Sequence, residues 1–251
     1  MSSYKTLLYE VDRGVARLTL NRPEKRNALN PELIAELKDA ISNPEHLILL
    51  AGAGADFCSG ADLAGLHGMT EAGVMDHMTS ARAMADLFIA MRRHPRPIVA
   101  AVRGRALAGG CGLATACDII LAAESAKFGY PEVNIGFVPA MVMAILRRSV
   151  SEKAAFELVA SGEVISAPRA RELGLIHHVF PDEKFSAEVD AYVSRLAAKS
   201  SSALTLTKRL LYQMDAASFE AALEAGVQTN AIARMTDDCK RGVERFLKKG
   251  S

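Results

Sequence analysis

Residues 98–122 read IVAAVRGRALAGGCGLATACDIILA, and this stretch decides the fold class. The apolar run Ile98 to Val102 predicts a buried strand, and the glycine cluster after it marks a turn that opens a short helix. A second apolar run, Asp118 to Ala122, predicts the next buried strand. Buried strands that alternate with helices are typical of an α/β fold.

The same alternation extends towards the N-terminus. Val15 to Leu20 alternates apolar and polar residues as a half-buried strand does, Pro31 opens a predicted helix through Ile41, and Leu47 to Leu50 predicts a buried strand. A long helix capped by Thr70 is predicted next. Its apolar positions fall at i, i+3, i+4 and i+7: Met84, Leu87, Phe88 and Met91.

From about Ala140 to Lys249, helical patterns dominate. The sequence therefore predicts an α/β core over residues 1–195 and a helical C-terminal region over residues 196–251.

Composition excludes several classes of function. The 251 residues carry 30 Lys and Arg against 29 Asp and Glu, so a net charge of +1 gives no field that would draw nucleic acid. No apolar run reaches the roughly 20 residues that a membrane span needs, and the first ten residues lack a signal-peptide core, so we expect a cytoplasmic protein. The four cysteines form no CxxC pair and the six histidines are scattered, so no metal site is predicted.

Familiar cofactor motifs are missing. Gly52-Ala-Gly54 follows a predicted strand, but Phe57 stands where a dinucleotide fingerprint needs its third glycine. No GxxxxGK[ST] occurs, and Ser59 lacks the GxSxG frame of serine hydrolases. Two junctions rich in small residues remain, at 57–63 and 104–114. Backbone amides at such junctions suit an oxyanion hole, although the glycines taken alone are better explained by tight backbone packing.

Five motifs occur in the order found in one known family: NRPEKRNAL at 21–29, FCSGADL at 57–63, LAGGCGLA at 107–114, CDII at 117–120 and FGYPEVNIG at 128–136. Together with RFLKK at 245–249 they span nearly the whole chain. The chain therefore resembles the enoyl-CoA hydratase/isomerase, or crotonase, superfamily. The resemblance implies a spiral of strand-strand-helix repeats and a helical C-terminal trimerisation region. It also implies an acyl-CoA thioester substrate, no further cofactor, and a homotrimer or a hexamer built from two trimers.

The resemblance also implies roles for individual residues. Ala61 and Gly109 match the two backbone donors of the family's oxyanion hole. The positions that match coenzyme A-binding residues are Lys25, Asn27, Ala28, Leu29, Ala61, Asp62, Leu63 and Gly109. Phe246 or Lys249 in the tail would reach a neighbouring subunit's ligand. The stretch from Pro31 to Ala51 is shorter than is usual in the family, which alters the wall expected near the adenine.

The acid–base residues decide which reaction is expected. Family hydratases carry two glutamates; Glu132 matches one, whereas Gly112 stands at the position of the other. Adding water requires one group that deprotonates water and one that protonates carbon, whereas moving a double bond needs a single carboxylate. Glu132 is therefore the expected catalytic acid–base, with its pKa raised in an apolar pocket. The side chains expected to line that pocket are Phe128, Ile135, Phe137, Val138 and Met141.

The residues leave alternatives open. Isomerisation of 3-enoyl-CoA to 2-enoyl-CoA fits a single glutamate best, and hydration of 2-enoyl-CoA is the rival reaction. A catalytically silent acyl-CoA-binding protein is the third alternative. Glu71 and Asp76 are weaker acid candidates, and Cys111 is a weaker candidate nucleophile.

Overall fold

A computed structural model describes residues 4–44, 46–62, 65, 68 and 71–249. Nine strands lie within these residues. They are β1 Leu7–Asp12, β2 Val15–Leu20, β3 Leu47–Gly52, β4 Ile98–Val102, β5 Arg105–Leu107, β6 Ile119–Ala123, β7 Lys127–Gly129, β8 Val164–Ser166 and β9 His178–Phe180.

Ten α-helices have both ends within the described residues. They are α1 Pro31–Ile41, α2 Val74–Arg93, α3 Gly109–Thr115, α4 Ala140–Ser149, α5 Glu152–Ser161, α6 Ala167–Glu172, α7 Phe185–Ala197, α8 Ser201–Gln213, α9 Phe219–Met235 and α10 Asp237–Lys249. In the same part of the chain, three short 3₁₀ helices cover Pro23–Lys25, Pro131–Ile135 and Met214–Ala216.

The main sheet has six strands in the order β1-β2-β3-β4-β6-β9. Only β1 runs antiparallel to its neighbour β2, and every other pair in this sheet is parallel. Parallel strands need crossover connections, which α1 and α2 supply between β2 and β3 and between β3 and β4. The predicted α/β class is confirmed.

The inner strands are buried on both faces, which explains their continuous apolar runs. In β3, Ile48 and Leu50 pack into the larger core with α1 and α2, while Leu47 and Leu49 pack into a second core beneath α7. The predicted apolar stripe of α2 is buried in the larger core.

A second, three-stranded sheet carries the segments of functional interest. Its order is β5-β7-β8, with β5 parallel to β7 and β8 antiparallel to β7. The strands β4 and β5 are separated only by residues 103 and 104, so the chain passes directly from the main sheet into this smaller one.

Several boundaries differ from the sequence-based expectation. Thr70 lies outside the described residues, and α2 begins at Val74 after Gly73. The region after Ala140 is not purely helical, because β8 and β9 occur there. Both strands have three residues, too few to give a recognisable apolar pattern.

A buried ion pair fastens the C-terminal helices to the sheet. Lys208 of α8 donates to the Asp118 carboxylate at 2.7 Å and to the carbonyls of Met91 and Arg96, both at 3.1 Å. Tyr212 donates to the other Asp118 oxygen at 2.5 Å.

The division at residues 195/196 stays a prediction, as α7 ends at Ala197.

The helices α9 and α10 leave large apolar side chains exposed, including Phe219, Leu223, Val227, Ile232, Met235 and Phe246. These residues are therefore not part of the core of the single chain. The side chain of Lys249 lies outside the described residues, and the predicted contact of the tail with a neighbouring subunit stays a prediction.

No described helix is both long and apolar enough to cross a membrane. Across the same residues, no group of three or more His, Cys, Asp or Glu side chains could hold a metal ion. The cytoplasmic location stays a prediction.

Candidate active site

The two small-residue segments lie side by side. The Cys58 amide donates to the Arg105 carbonyl at 3.0 Å, and the Leu107 amide donates to the Cys58 carbonyl at 3.0 Å. This parallel pairing brings the ends of both segments, Ala61 and Gly109, to one place.

The backbone amides of Ala61 and Gly109 are close neighbours. A Cβ atom built on Gly109 would lie 3.8 Å from the Ala61 nitrogen. Within the described part of the chain, neither amide donates a hydrogen bond to a protein group. Two adjacent free N–H groups can stabilise an oxygen atom that gains negative charge during a reaction.

Strand pairing brings Glu132 to the same edge. In the smaller sheet Leu107 pairs with Gly129, and the Ala108 amide donates to the Gly129 carbonyl at 2.8 Å. Both strands are parallel, so the residues that follow them emerge at one end of the sheet. Glu132 follows β7 on the 3₁₀ helix Pro131–Ile135, as Gly109 follows β5.

Glu132 is buried, and one of its carboxyl oxygens has no partner among the described residues. Its residue is 8% exposed, and among the described residues it is the one acidic residue that is buried. Its Oε2 atom has no hydrogen-bond partner in that part of the chain. Burial raises the pKa of this carboxyl above its ordinary value of 4.5, although a backbone hydrogen bond opposes the rise. A carboxylate in this state is an effective proton acceptor.

A buried polar cluster lies beside Glu132. The Thr115 hydroxyl lies 2.9 Å from the Tyr130 hydroxyl and donates to the Cys111 carbonyl at 2.8 Å. Burial, and to a smaller extent the Glu132 carboxylate, raises the pKa of the Cys111 thiol to about 11. The thiol therefore stays protonated near neutral pH, which argues against Cys111 as a nucleophile.

The side chain of Asn27 stabilises the loop that is predicted to bind coenzyme A. Its fully buried side chain accepts from the Arg22 amide at 2.9 Å and donates to the carbonyls of Ala53 and Asp56 at 2.9 and 2.8 Å. Asn27 has a positive φ of 54°, a conformation that asparagine tolerates better than most residues. The amide group is therefore fully occupied in holding the loop.

Leu29 supports the Ala61 amide from the other side. The Leu29 amide donates to the Gly60 carbonyl at 2.7 Å, and the Asp62 amide donates to the Leu29 carbonyl at 3.0 Å. The Leu29 Cδ1 atom lies 3.7 Å from a Cβ built on Gly109, so this side chain borders the two amides.

Arg22 is a residue of the site that the sequence reasoning missed. Its guanidinium donates to the Asp62 carboxylate at 3.0 Å and to the Ala28 carbonyl at 2.5 Å. Both side chains of the ion pair are largely buried, so Asp62 fixes the turn through Arg22. Lys25 is exposed at the end of a 3₁₀ helix, and Leu63 lies outside the described residues.

The weaker acid candidates are exposed. Glu71 is exposed, and Asp76 accepts from the Gly73 amide at 3.2 Å, which makes it a capping residue of α2.

The expected apolar wall around Glu132 is only partly correct. Phe128 is fully buried in the larger core, while Met141 is partly buried and packs against it. Ile135, Phe137 and Val138 are exposed in the chain. Ile135 ends the 3₁₀ helix that carries Glu132, and Phe137 and Val138 follow that helix, so the three side chains lie on the surface of the single chain.

Similarity to known proteins identifies the family. The family model for enoyl-CoA hydratase/isomerase matches residues 10–251. A Thermus thermophilus protein, provisionally named as an enoyl-CoA hydratase, is 39% identical over 96% of this chain and 98% of its own length. The 2,3-dehydroadipyl-CoA hydratase of Escherichia coli is 34% identical over 97% and 96%. A crystal structure of an enoyl-CoA hydratase from Mycobacterium smegmatis superposes with a TM-score of 0.93, at 33% identity over 98% and 97%. The chain therefore belongs to the enoyl-CoA hydratase/isomerase family of enzymes, which act on acyl-CoA thioesters.

Proposed function

We propose that this enzyme converts 3-enoyl-CoA thioesters to 2-enoyl-CoA thioesters, with Glu132 as the single proton carrier. The observation that carries the proposal is the buried Glu132 carboxyl, whose Oε2 atom has no partner among the described residues, at the same end of the smaller sheet as two backbone amides that donate to no described protein group. The site therefore contains a base, Glu132, and a pair of amides that can bind an anion. These are the two elements that moving a double bond requires.

The steps follow from these groups. Glu132 removes a proton from C2, and the negative charge moves onto the thioester oxygen. The amides of Ala61 and Gly109 stabilise that oxygen, each contributing about 3 kcal/mol or more to the transition state. Glu132 then returns the proton at C4, which leaves the double bond between C2 and C3.

The coenzyme A moiety is proposed to lie along residues 25–29. Lys25 supplies an exposed positive charge for phosphate, and Leu29 borders the oxyanion amides. The backbone groups of Leu29 are already paired within the protein, so we propose that its contact with the ligand is apolar. The relatives' names favour a second candidate function, hydration of 2-enoyl-CoA.

Matched substrates separate the two reactions. Purified enzyme is incubated with 3-hexenoyl-CoA and, separately, with 2-hexenoyl-CoA, and the products are identified by proton NMR. The proposal predicts conversion of the first substrate to 2-hexenoyl-CoA. A 3-hydroxyhexanoyl-CoA product from the second substrate, without isomerisation of the first, would instead support hydration. Binding of both substrates without turnover would support a silent acyl-CoA-binding protein.

We further propose a homotrimer, alone or paired into a hexamer. Support comes from the exposed apolar side chains of α9 and α10, which the single chain leaves uncovered. Light scattering coupled to size-exclusion chromatography tests this, since a monomer at micromolar concentration would contradict it.

A further inference from the structure

The helices α3 and α4 meet at a contact that leaves no room for a side chain at position 112. A Cβ atom built on Gly112 would lie 2.1 Å from Val142 Cγ1 and 2.9 Å from Val142 Cβ. It would also lie 3.5 Å from Phe88 Cζ, an ordinary contact. Val142 therefore fills the volume that a residue at 112 would need.

This contact lies one helical turn from the oxyanion amides. Positions 109 and 112 are three residues apart on α3, so they are neighbours on the helix surface. The Gly109 position borders Ala61, and Cys111, next to Gly112, is close enough to feel the Glu132 charge. A side chain at 112 would therefore begin within one helical turn of the Gly109 amide.

We infer that Val142 is a specificity-determining residue. Its side chain fills the space that a second acid–base group at position 112, and a water molecule bound to that group, would need. This inference rests on the proposed isomerase function. Adding water requires a group that deprotonates it while another protonates carbon. Isomerisation moves one proton between two carbons of the same substrate, so an apolar valine in this volume suits it.

We therefore expect the protein to tolerate a side chain at position 112 only when Val142 is replaced by a smaller residue. Gly112→Glu alone forces a Cβ atom into Val142, so we expect a lower melting temperature or no folded protein. Gly112→Ala, which adds only the Cβ, is the milder variant and should also lower the melting temperature. Adding Val142→Gly removes both clashing atoms, so it should recover most of either loss.

Met143→Gly is the matched control for the second substitution. Met143 lies next to Val142 on α4 and is 37% exposed. Met143→Gly also places a glycine, which destabilises a helix, within α4, but it does not clear space at Gly112. Combined with Gly112→Ala, it should give no recovery of the melting temperature.

Product analysis tests the specificity itself. Gly112→Glu/Val142→Gly is incubated with 2-hexenoyl-CoA, beside wild type and Val142→Gly alone. We expect the double variant to form 3-hydroxyhexanoyl-CoA at least tenfold faster than either. A folded double variant that binds coenzyme A thioesters and still isomerises, but gains no hydration, overturns the inference. So does a Gly112→Ala protein as stable as wild type, or equal recovery by Met143→Gly.

The two proposals fail in distinguishable ways. The melting temperatures depend on neither reaction, and the wild-type isomerase rate is measured on the same preparations. Absence of wild-type isomerase activity would contradict the proposed function. Presence of that activity, with no gain of hydration in the double variant, would contradict only the role of Val142.

Discussion

Gly60 and Ala108 pack against each other so closely that a Cβ atom on Gly60 would lie 2.8 Å from the Ala108 Cβ. Both residues have a positive φ, 95° and 50° respectively, and each immediately precedes a candidate oxyanion amide. The two bends therefore fix each other, and with them the directions of the Ala61 and Gly109 N–H groups. Such strained backbone is typical of functional sites.

This relationship predicts that Gly60→Ala removes most of the activity. The added methyl group meets Ala108 Cβ and the Leu107 carbonyl, so the Ala61 amide must move. Loss of one oxyanion donor typically lowers kcat by about 10²- to 10³-fold. Steady-state kinetics with 3-hexenoyl-CoA measure this.

Gly14→Ala is the control for that variant. Gly14 has a similar φ of 77° in the turn between β1 and β2, but open space surrounds its Cβ position. It should lose stability through backbone strain and keep its kcat. Equal loss of kcat in both variants would show that the effect does not come from the Ala61 amide.

A second prediction concerns the brace between Arg22 and Asp62. Arg22→Gln removes the ion pair and leaves the Asp62 carboxylate largely buried, so we expect about 1–3 kcal/mol of destabilisation and a lower kcat. Arg17→Gln removes an exposed ion pair with Asp190 at 2.8 Å and should cost less than about 1 kcal/mol. Urea unfolding measures both; equal costs would contradict the brace.

A third prediction concerns the C-terminal helices. Lys208→Met leaves the Asp118 carboxylate without its cation, and breaking a buried pair typically costs about 3–5 kcal/mol. Lys240→Met, which removes an exposed pair with Asp237, should have little effect on stability. Thermal unfolding of the two variants tests this, and matching melting temperatures would show that the pair does not anchor α8.

A fourth prediction follows from the raised pKa of Glu132. Between its ordinary value of 4.5 and the raised value, the folded state binds more protons than the unfolded state. The free energy of unfolding therefore falls as pH rises through this window. Glu132→Gln should remove this fall and make the protein relatively more stable above the window. Chemical unfolding of wild type and Glu132→Gln at a series of pH values measures this. Parallel dependences of the free energy of unfolding on pH would contradict the burial of Glu132.

Local signals in the sequence predict several elements correctly. The helix α1 begins at Pro31 as expected, since Asn30 caps it by accepting from the Leu33 amide and Pro31 suits the first helical position. The strand β2 also matches, because its alternation reflects one buried face. The smaller sheet was not predicted, because β5, β7 and β8 have three residues each and depend on pairing between distant segments.

The site is predictable only in part for a related reason. The small residues around Ala61 and Gly109 indicate close backbone approach, and the resemblance assigns Glu132. Their convergence depends on the register of β5 against β7 and on the pairing of Cys58 with Leu107. The ion pair of Arg22 with Asp62, and the way Val142 fills the space of a side chain at position 112, arise from tertiary packing. No local sequence pattern encodes them.

The proposed isomerisation depends on Glu132 as the single carrier of the proton. It is tested most directly by comparing wild type with Glu132→Gln on 3-hexenoyl-CoA in deuterated buffer, followed by proton NMR, with substrate binding measured by calorimetry. We expect the variant to bind the substrate and to lose about 10²- to 10⁴-fold of both double-bond migration and deuterium incorporation. A variant that binds and isomerises at the wild-type rate would contradict it.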